Sequence, residues 1–548
     1  MKKIFKSVIV AAVAVFTLAS CNNAAKMAEL AEQVKINCNP EVLEVIAGNI
    51  DADVTVNFPA EYFLPKAKLE VTPVIVYQGG EAVGKPFMYQ GQKVTENYKM
   101  VSKDGAQIKE HVNFSYVEGM EKSQLVARAK VIYKGKTYEF PQDIKIADGA
   151  NTTYMLVCQK GTYNMQADKY QEVIPEEVEA QILYLINSAD VRSSQINSAD
   201  IKDYQNDIKN VMNDERRTIK GTEIVAYASP DGPEAKNNIL SDKREASAEK
   251  AFKKVAKKLE TGEVSGKSIG EDWEGFQELI NNSNIEDKDL IIRVLSMYSD
   301  PNVREREIKN MSSIYTSVAK DVLPQLRRAR FITSVEYQNY TPEELNDLVA
   351  NNIDVLDEEA LLRSATLTDD PAAKLAIYKQ AIKKYNSQRA IYNSACVYLD
   401  QDKLADAKKM AEKLEGDGCC NKNLRGVIAL REGEYQTAAK YFAEVKCAEG
   451  APNRAVINIL NGAYAQAAKE LEGTGNANEA LAYILTGQLD KASSALKDKD
   501  CAPAAYQRAI VAARKGDAAK ANAELAKSAS CDKLAKKAAT DIEFVKGK

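Results

Sequence analysis

Histidine is all but missing from this chain: there is one, His111, in 548 residues. Most zinc sites, and nucleophiles activated by an imidazole base, need at least one such ring. Those chemistries are set aside, and His111 in "IKEHVNF" reads as a surface residue. Nor does any C-x-x-C pair occur among the nine cysteines, which removes the commonest zinc and thiol-redox spacings. Phosphate loops are missing too. "TGEVSGKS" comes nearest, but only Glu263, Val264 and Ser265 separate Gly262 from Gly266, one residue short of the loop whose amides surround phosphates. The closely spaced glycines of a dinucleotide turn are absent as well. With 45% hydrophobic and 28% charged residues the composition is that of an ordinary globular chain, which excludes general disorder, collagen-like repeats and a polytopic membrane protein. At about 150 residues per domain the length suggests three or four domains.

What is present begins with an export signal over residues 1–20. Lys2, Lys3 and Lys6 precede an apolar run from Val8 to Leu18, too short to remain as a spanning helix. Removing that segment takes away three lysines and no acid, so the net charge goes from −4 to −7. So acidic a chain is a poor nucleic-acid binder, and no nucleic-acid partner is expected. The signal ends Leu18-Ala19-Ser20-Cys21, which resembles the lipobox of bacterial lipoproteins, where cleavage precedes a Cys that receives lipid. The resemblance implies lipidation at Cys21 and residues 21–36 as anchor and spacer. Asn22 is not the Asp that in such lipoproteins signals retention in the inner membrane, and no acid stands in the first half of "CNNAAKMAEL". Both features imply an outer-membrane lipoprotein facing the periplasm. Eight further cysteines then sit in a compartment that permits disulfides. Cys419 or Cys420, Cys447, Cys501 and Cys531 fall in links between C-terminal repeats, where a spacing on the order of 10 Å between packed helices leaves most thiols unpaired unless the links are staggered.

Three regions follow. Runs such as "DVTVNFPAEYF", "LEVTPVIVY" and "QLVARAKVIYKGKTYEF", bounded by turns, predict a β-sandwich over residues 37–160, with binding or spacing as its role. Residues 175–340 alternate strand and helix: "QILYLINSADVR" and "GTEIVAYAS" read as strands, "SADIKDYQNDIKNVMND" and "PEAKNNILSDKREASAEKAFKKVAKKLE" as helices, making an α/β layer. From 341 to 548 the chain is helical and repetitive. Gly433, Gly462, Gly487 and Gly516 recur at a turn, Asp402 stands where a further glycine belongs, and Ala407, Ala438, Ala467, Ala492 and Ala521 recur at a close-packing position. This pattern resembles tetratricopeptide repeats, although successive glycines stand as little as 25 residues apart where that family has 34. A hairpin of this size cannot bury its apolar face alone, so a stacked all-α solenoid with a concave surface for protein partners is expected.

The candidate site lies at the junction "YASPDGPEAKNNILSDKREASAEKAF". Asp231, Gly232 and Pro233 account for a turn, and Pro233 and Glu234 for the start of a helix. Without a second acid or a His near Asp231, no catalytic residue, metal ligand or cofactor is assigned. Asn237, Leu240, Ser241 and Arg244, opening a helix after a strand and a small-residue loop, resemble the N-x-x-L-S-x-x-R motif of OmpA-like domains; Gly270-Glu271 and Arg327-Arg328 resemble later landmarks of that family, and "GEDWEGF" and "LPQLRRARF" resemble variants in Bacteroidetes envelope proteins. The resemblance implies contact with peptidoglycan, an acid at the strand end and the helix Arg together holding the zwitterionic end of a peptide stem. Here Ser229 occupies the acid's position and Asp231, two residues on, can supply the charge, so Ser229, Asp231, Asn237 and Arg244 form the expected binding set. The stretch between Gly270 and Arg327 is longer than in that family. The other reading of the whole chain is a surface or transport-machine accessory lipoprotein in which the OmpA-like region is a protein-interaction module.

Overall fold

The computed structural model describes residues 23–286 and 288–545; Cys21, with the export signal, lies outside them. The chain divides into two compact units, one made of residues up to Gln166 together with those from Ile391 on, the other of Ala167–Ala390. The second unit therefore runs past residue 340, where the sequence places the end of the α/β region.

In the first unit the strands alternate as their sequences demand. Asn49–Phe58 buries Ile50, Ala52 and Val54 on one side, and its partner Ala106–Ser115 buries Glu110, Val112 and Phe114. His111 stands on the opposite, solvent side across from Asp53, with Nδ1 at 2.9 Å from that carboxylate and Nε2 at 3.2 Å from Asp51. Where a sandwich of separate sheets is expected, the strands form one continuous eleven-stranded sheet. Val42–Ile46 is the join: it pairs antiparallel with Asn49–Phe58 and parallel with Ile144–Asn151. The two wings share an interior of Phe58, Leu69, Tyr89 and Val131. Strand lengths and turn spacings carry no information on whether two sheet edges are bonded, so this closure is invisible in sequence.

From Ile391 on, the same unit is a succession of helical hairpins: Cys419–Arg431 with Tyr435–Glu444, Gly450–Leu460 with Tyr464–Leu471, Glu479–Leu485 with Leu489–Ala495, and Ala502–Arg514 with Ala518–Ser528. Each first helix stops on a left-handed residue. Gly433, Gly462, Gly487 and Gly516 have φ of 73–79°, and Asp402, at 55°, takes the same conformation without being glycine. The recurring alanines are all buried. Close packing is evident at Gly426, where a Cβ would come within 2.5 Å of the Phe442 ring.

The second unit holds a four-stranded mixed sheet in the order Val173–Leu183, Arg328–Gln338, Arg217–Ala228, Glu263–Glu271, antiparallel except for the last pair. Helices Ala199–Met212 and Glu234–Val255 cover one face, packing Tyr204 and Phe252 on Ile182, Ile224 and Phe331. "TGEVSGKS", read above as a failed phosphate loop, lies largely in the edge strand Glu263–Glu271. The first strand comes earlier than expected: it ends at Leu183, so the rest of "QILYLINSADVR" is not strand. The long stretch before Arg327 folds as four helices, Trp273–Asn282, Lys288–Met297, Pro301–Asn310 and Ser312–Asp321, around a core of their own that includes Phe276, Ile280, Ile291 and Val318. Three more helices, Pro342–Asn351, Glu358–Thr366 and Pro371–Tyr385, complete the unit, the first opened by a capping box between Thr341 and Glu344.

Candidate functional sites

In the α/β unit the strand Arg217–Ala228 runs into Ser229-Pro230-Asp231-Gly232-Pro233 before the helix from Glu234. Three of the expected residues meet in this turn. Ser229 Oγ donates to Asp231 Oδ1 at 2.9 Å, and Asn237 Nδ2 reaches the carbonyls of Ser229 (3.2 Å) and Gly232 (3.0 Å) and Glu271 Oε1 (2.8 Å). The cation facing Asp231 is Arg327: its Nη2 lies 2.9 Å from Asp231 Oδ2 and its Nε 3.3 Å from Ser229 Oγ. Arg327–Asp231 is partly exposed, at 13% and 18% of the side chains.

Arg244 differs from the expectation that its fork meets a ligand. The side chain is 1% exposed. Nε donates to the Ser188 carbonyl at 3.0 Å, Nη1 to that of Tyr227 at 2.8 Å and Nη2 to that of Leu185 at 3.3 Å, and the guanidinium lies over the Tyr184 ring. It fastens chain segments beneath the turn. Burial pushes its pKa down to about 10, which leaves it charged at neutral pH.

Glu271, register partner of Ala228, stands beside this cluster. Asn237 and the Trp273 indole N–H bind its two oxygens, yet burial, the larger effect, raises its pKa. The helical insertion touches the same turn, with Lys309 Nζ 3.3 Å from the Asp231 carbonyl and Asn302 Nδ2 3.3 Å from Glu234 Oε2. Sequence reasoning finds Arg327 only as one of a basic pair and Glu271 only as part of the Gly270-Glu271 landmark, neither as a site residue, and passes over Lys309, which no local pattern marks.

The second site is in the hairpin arc of the first unit. Residues 157–166, in neither helix nor strand, lie along a row of asparagines. Asn478 accepts from the Cys158 N–H at 2.7 Å and donates to the Cys158 carbonyl at 2.9 Å. Asn453 does the same for Thr162 (2.7 and 2.8 Å), and Asn393 for Gln166 (2.8 and 2.9 Å). Asn423 adds a second bond to the Thr162 carbonyl at 2.8 Å. A carboxamide has one acceptor and one donor edge, so a single Asn satisfies both backbone groups of one residue, as a neighbouring strand would. All four are buried. They stand 30, 30 and 25 residues apart, nine or ten before each left-handed turn residue, and the same place in the last hairpin is Gln507. Gln507 is buried too, and its Oε1 has no hydrogen-bond partner among the described residues.

Side chains of this strap are read as well. Tyr163 donates to Asp400 at 2.5 Å with Arg431 over its ring, Arg431 Nε donates to the Lys160 carbonyl at 2.7 Å, and Asn164 Nδ2 donates to Glu449 at 2.5 Å. Gly161 has φ of +74°, and a Cβ there would come within 2.7 Å of Val427. By contrast, the cavity between the wings of the β layer, which Glu110 lines, measures about 50 Å³, far below the roughly 300 Å³ or more of a small-molecule site.

No family model and no curated protein matches the chain. Among solved structures it is similar to a tetratricopeptide repeat protein from Parabacteroides merdae, at 13% identity over 37% of this chain and 91% of that one, with a TM-score of 0.29. It is also similar to YrrB, described as a TPR protein with an unusual peptide-binding site, at 20% identity over 36% of this chain and 99% of that one, with a TM-score of 0.19. Superpositions this loose decide nothing about the groove. The hairpin pattern rests on this chain's own turns and buried alanines.

Proposed function

We propose that the protein is a non-enzymatic lipoprotein, anchored in the outer membrane through Cys21 and facing the periplasm, that contacts peptidoglycan through its OmpA-like α/β unit and scaffolds protein partners through its helical repeats. The observation that supports wall contact best is the partly exposed Asp231–Arg327 pair at the strand-to-helix turn. A zwitterionic peptide end needs an anion for its ammonium and a guanidinium for its carboxylate. Asp231 and Arg327 present both, and Ser229 orients the acid. The role the resemblance gives to Arg244 passes to Arg327, because Arg244 is committed to backbone carbonyls.

Sedimentation with purified peptidoglycan containing diaminopimelate tests this reading. Removing one charge-assisted contact costs roughly 1.5 to 3 kcal/mol, or about one to two decades of affinity. Arg327→Ala and Asp231→Asn are each expected to weaken sedimentation by that factor. If the wild-type protein stays in the supernatant, the wall-binding reading is wrong. For the anchor, Cys21→Ala is expected to leave an uncleaved or soluble species, and unchanged maturation and detergent partitioning would refute it.

The accessory reading is favoured by a separate observation: the insertion helix Pro301–Asn310 places Lys309 and Asn302 against the turn and its following helix, where a wall peptide would lie. Protease treatment of intact cells separates the two, because degradation of the repeats would sink the periplasmic version.

A further inference from the structure

We propose that the hairpin arc is a peptide receptor closed by its own chain: residues 158–166 are its resident ligand, and a partner protein enters by presenting an extended segment of the type Gly, then Thr or Ser, then an aromatic. The proposal deepens the scaffold reading by naming what the groove takes, and it is independent of wall binding.

The rungs and the strap have complementary chemistry. Asn393, Asn453 and Asn478 each bind both backbone groups of a strap residue, and those residues are four apart, at Gln166, Thr162 and Cys158. Backbone clamping of this kind accepts any extended chain. Selectivity comes from three places. At Gly161 both the positive φ and the approach of Val427 exclude a side chain. At Thr162, three amides converge on one residue: Asn423 and Asn453 on the backbone, and Asn476 Nδ2 at 3.4 Å from the hydroxyl. At Tyr163 the ring lies under Arg431 while the hydroxyl meets Asp400.

One observation argues that the strap can leave. It forms no strand or helix, and its clamped amides and carbonyls are held by side chains of the arc, so release breaks no secondary structure. A tethered ligand acts at an effective concentration on the order of millimolar. A competing segment at micromolar concentration must therefore bind the open arc on the order of a thousandfold more tightly than the untethered strap does to enter.

The test uses the full chain and a fluorescent peptide with the sequence of residues 158–168. Gly161→Val expels the strap and leaves every rung intact. Hydrogen exchange at 158–166 is then expected to accelerate at least tenfold, and the variant to capture the peptide at least tenfold more tightly than wild type. The same peptide carrying Val for Gly is expected not to bind, and adding Asn453→Ala to the open variant to abolish capture. Unchanged exchange in Gly161→Val, or an exposed strap without tighter capture, would overturn the proposal. Should that variant not fold, Asn423→Ala with Asn453→Ala in the wild-type background is expected to expose the Lys160–Gly161 bond to trypsin while helical circular dichroism persists; a strap that stays resistant overturns it equally.

Discussion

Replacing Arg244 by Ala is expected to lower the stability of the α/β unit by about 4 kcal/mol, the outcome of losing three charge-assisted hydrogen bonds in a dry site and opening a cavity. The side chain is almost wholly buried, and its three acceptors are the carbonyls of Leu185, Ser188 and Tyr227. Removing the donor strands all three. Tyr184, whose ring lies under the guanidinium and whose hydroxyl donates to the Arg244 carbonyl at 3.0 Å, loses its packing partner at the same time. Arg244→Met, which refills most of the volume but supplies no donor, separates the cavity from the hydrogen bonds and should remain clearly less stable than wild type. Urea melts of the full chain, followed by exchange at the strand Arg217–Ala228, give the readout. A midpoint for Arg244→Ala within error of wild type would show that this guanidinium is a solvated surface group. The consequence for the wall-binding test is direct: loss of sedimentation in an Arg244 variant reports unfolding as readily as lost contact, so Arg327 and Asp231 are the positions to change.

This residue also marks how far sequence reaches. Asn237, Leu240, Ser241 and Arg244 are legible as a motif because their spacing puts them on a helix after a strand, and the structure places them there. Where a long side chain ends is decided by segments far away in the chain, here the loop after the strand Val173–Leu183, and no local pattern encodes that. The same division holds in the repeats. Their left-handed turn residues and buried alanines are visible because each is a local requirement of one hairpin, and even Asp402 fits, since a short polar side chain tolerates positive φ. The strap is not visible. Asn393, Asn423 and Asn453 do recur every 30 residues, but Asn early in a helix is ordinarily a cap or a surface residue, and what it binds lies more than 200 positions upstream. The strand Val173–Leu183 is obscured for another reason: Glu176, Glu177 and Glu179 crowd a sequence whose alternation is otherwise regular.

The remaining large effect is the bridge between Cys419 and Cys447. Links between packed repeats are expected to be too far apart for such a bond, yet these two Cα atoms are 6.1 Å apart, inside the limit of about 7 Å. The reason is position within the hairpins. Cys419 opens the helix Cys419–Arg431, and Cys447 lies just before the equivalent helix Gly450–Leu460, with its N–H donating to the Cys419 sulfur at 2.9 Å. Cys447 thus belongs to the link and not to a packed helix, so its Cα approaches the N-terminal end of Cys419–Arg431 more closely than the roughly 10 Å that separates helix axes. Cys420 is free and exposed, so the structure chooses between two adjacent thiols that the sequence leaves equivalent. Closing a loop of 28 residues removes denatured-chain entropy worth roughly 3.5 kcal/mol. Cys419→Ser is expected to destabilise the arc by that amount, and Cys420→Ser to change stability by less than about 0.5 kcal/mol, as surface substitutions do. Non-reduced peptide mapping should recover Cys419 joined to Cys447 in protein exported to an oxidising compartment, and free thiols at both positions when the same chain is kept in a reducing cytosol. Recovery of Cys420 joined to Cys447, or equal melting of the two serine variants, would show that the helix Cys419–Arg431 begins in a different register.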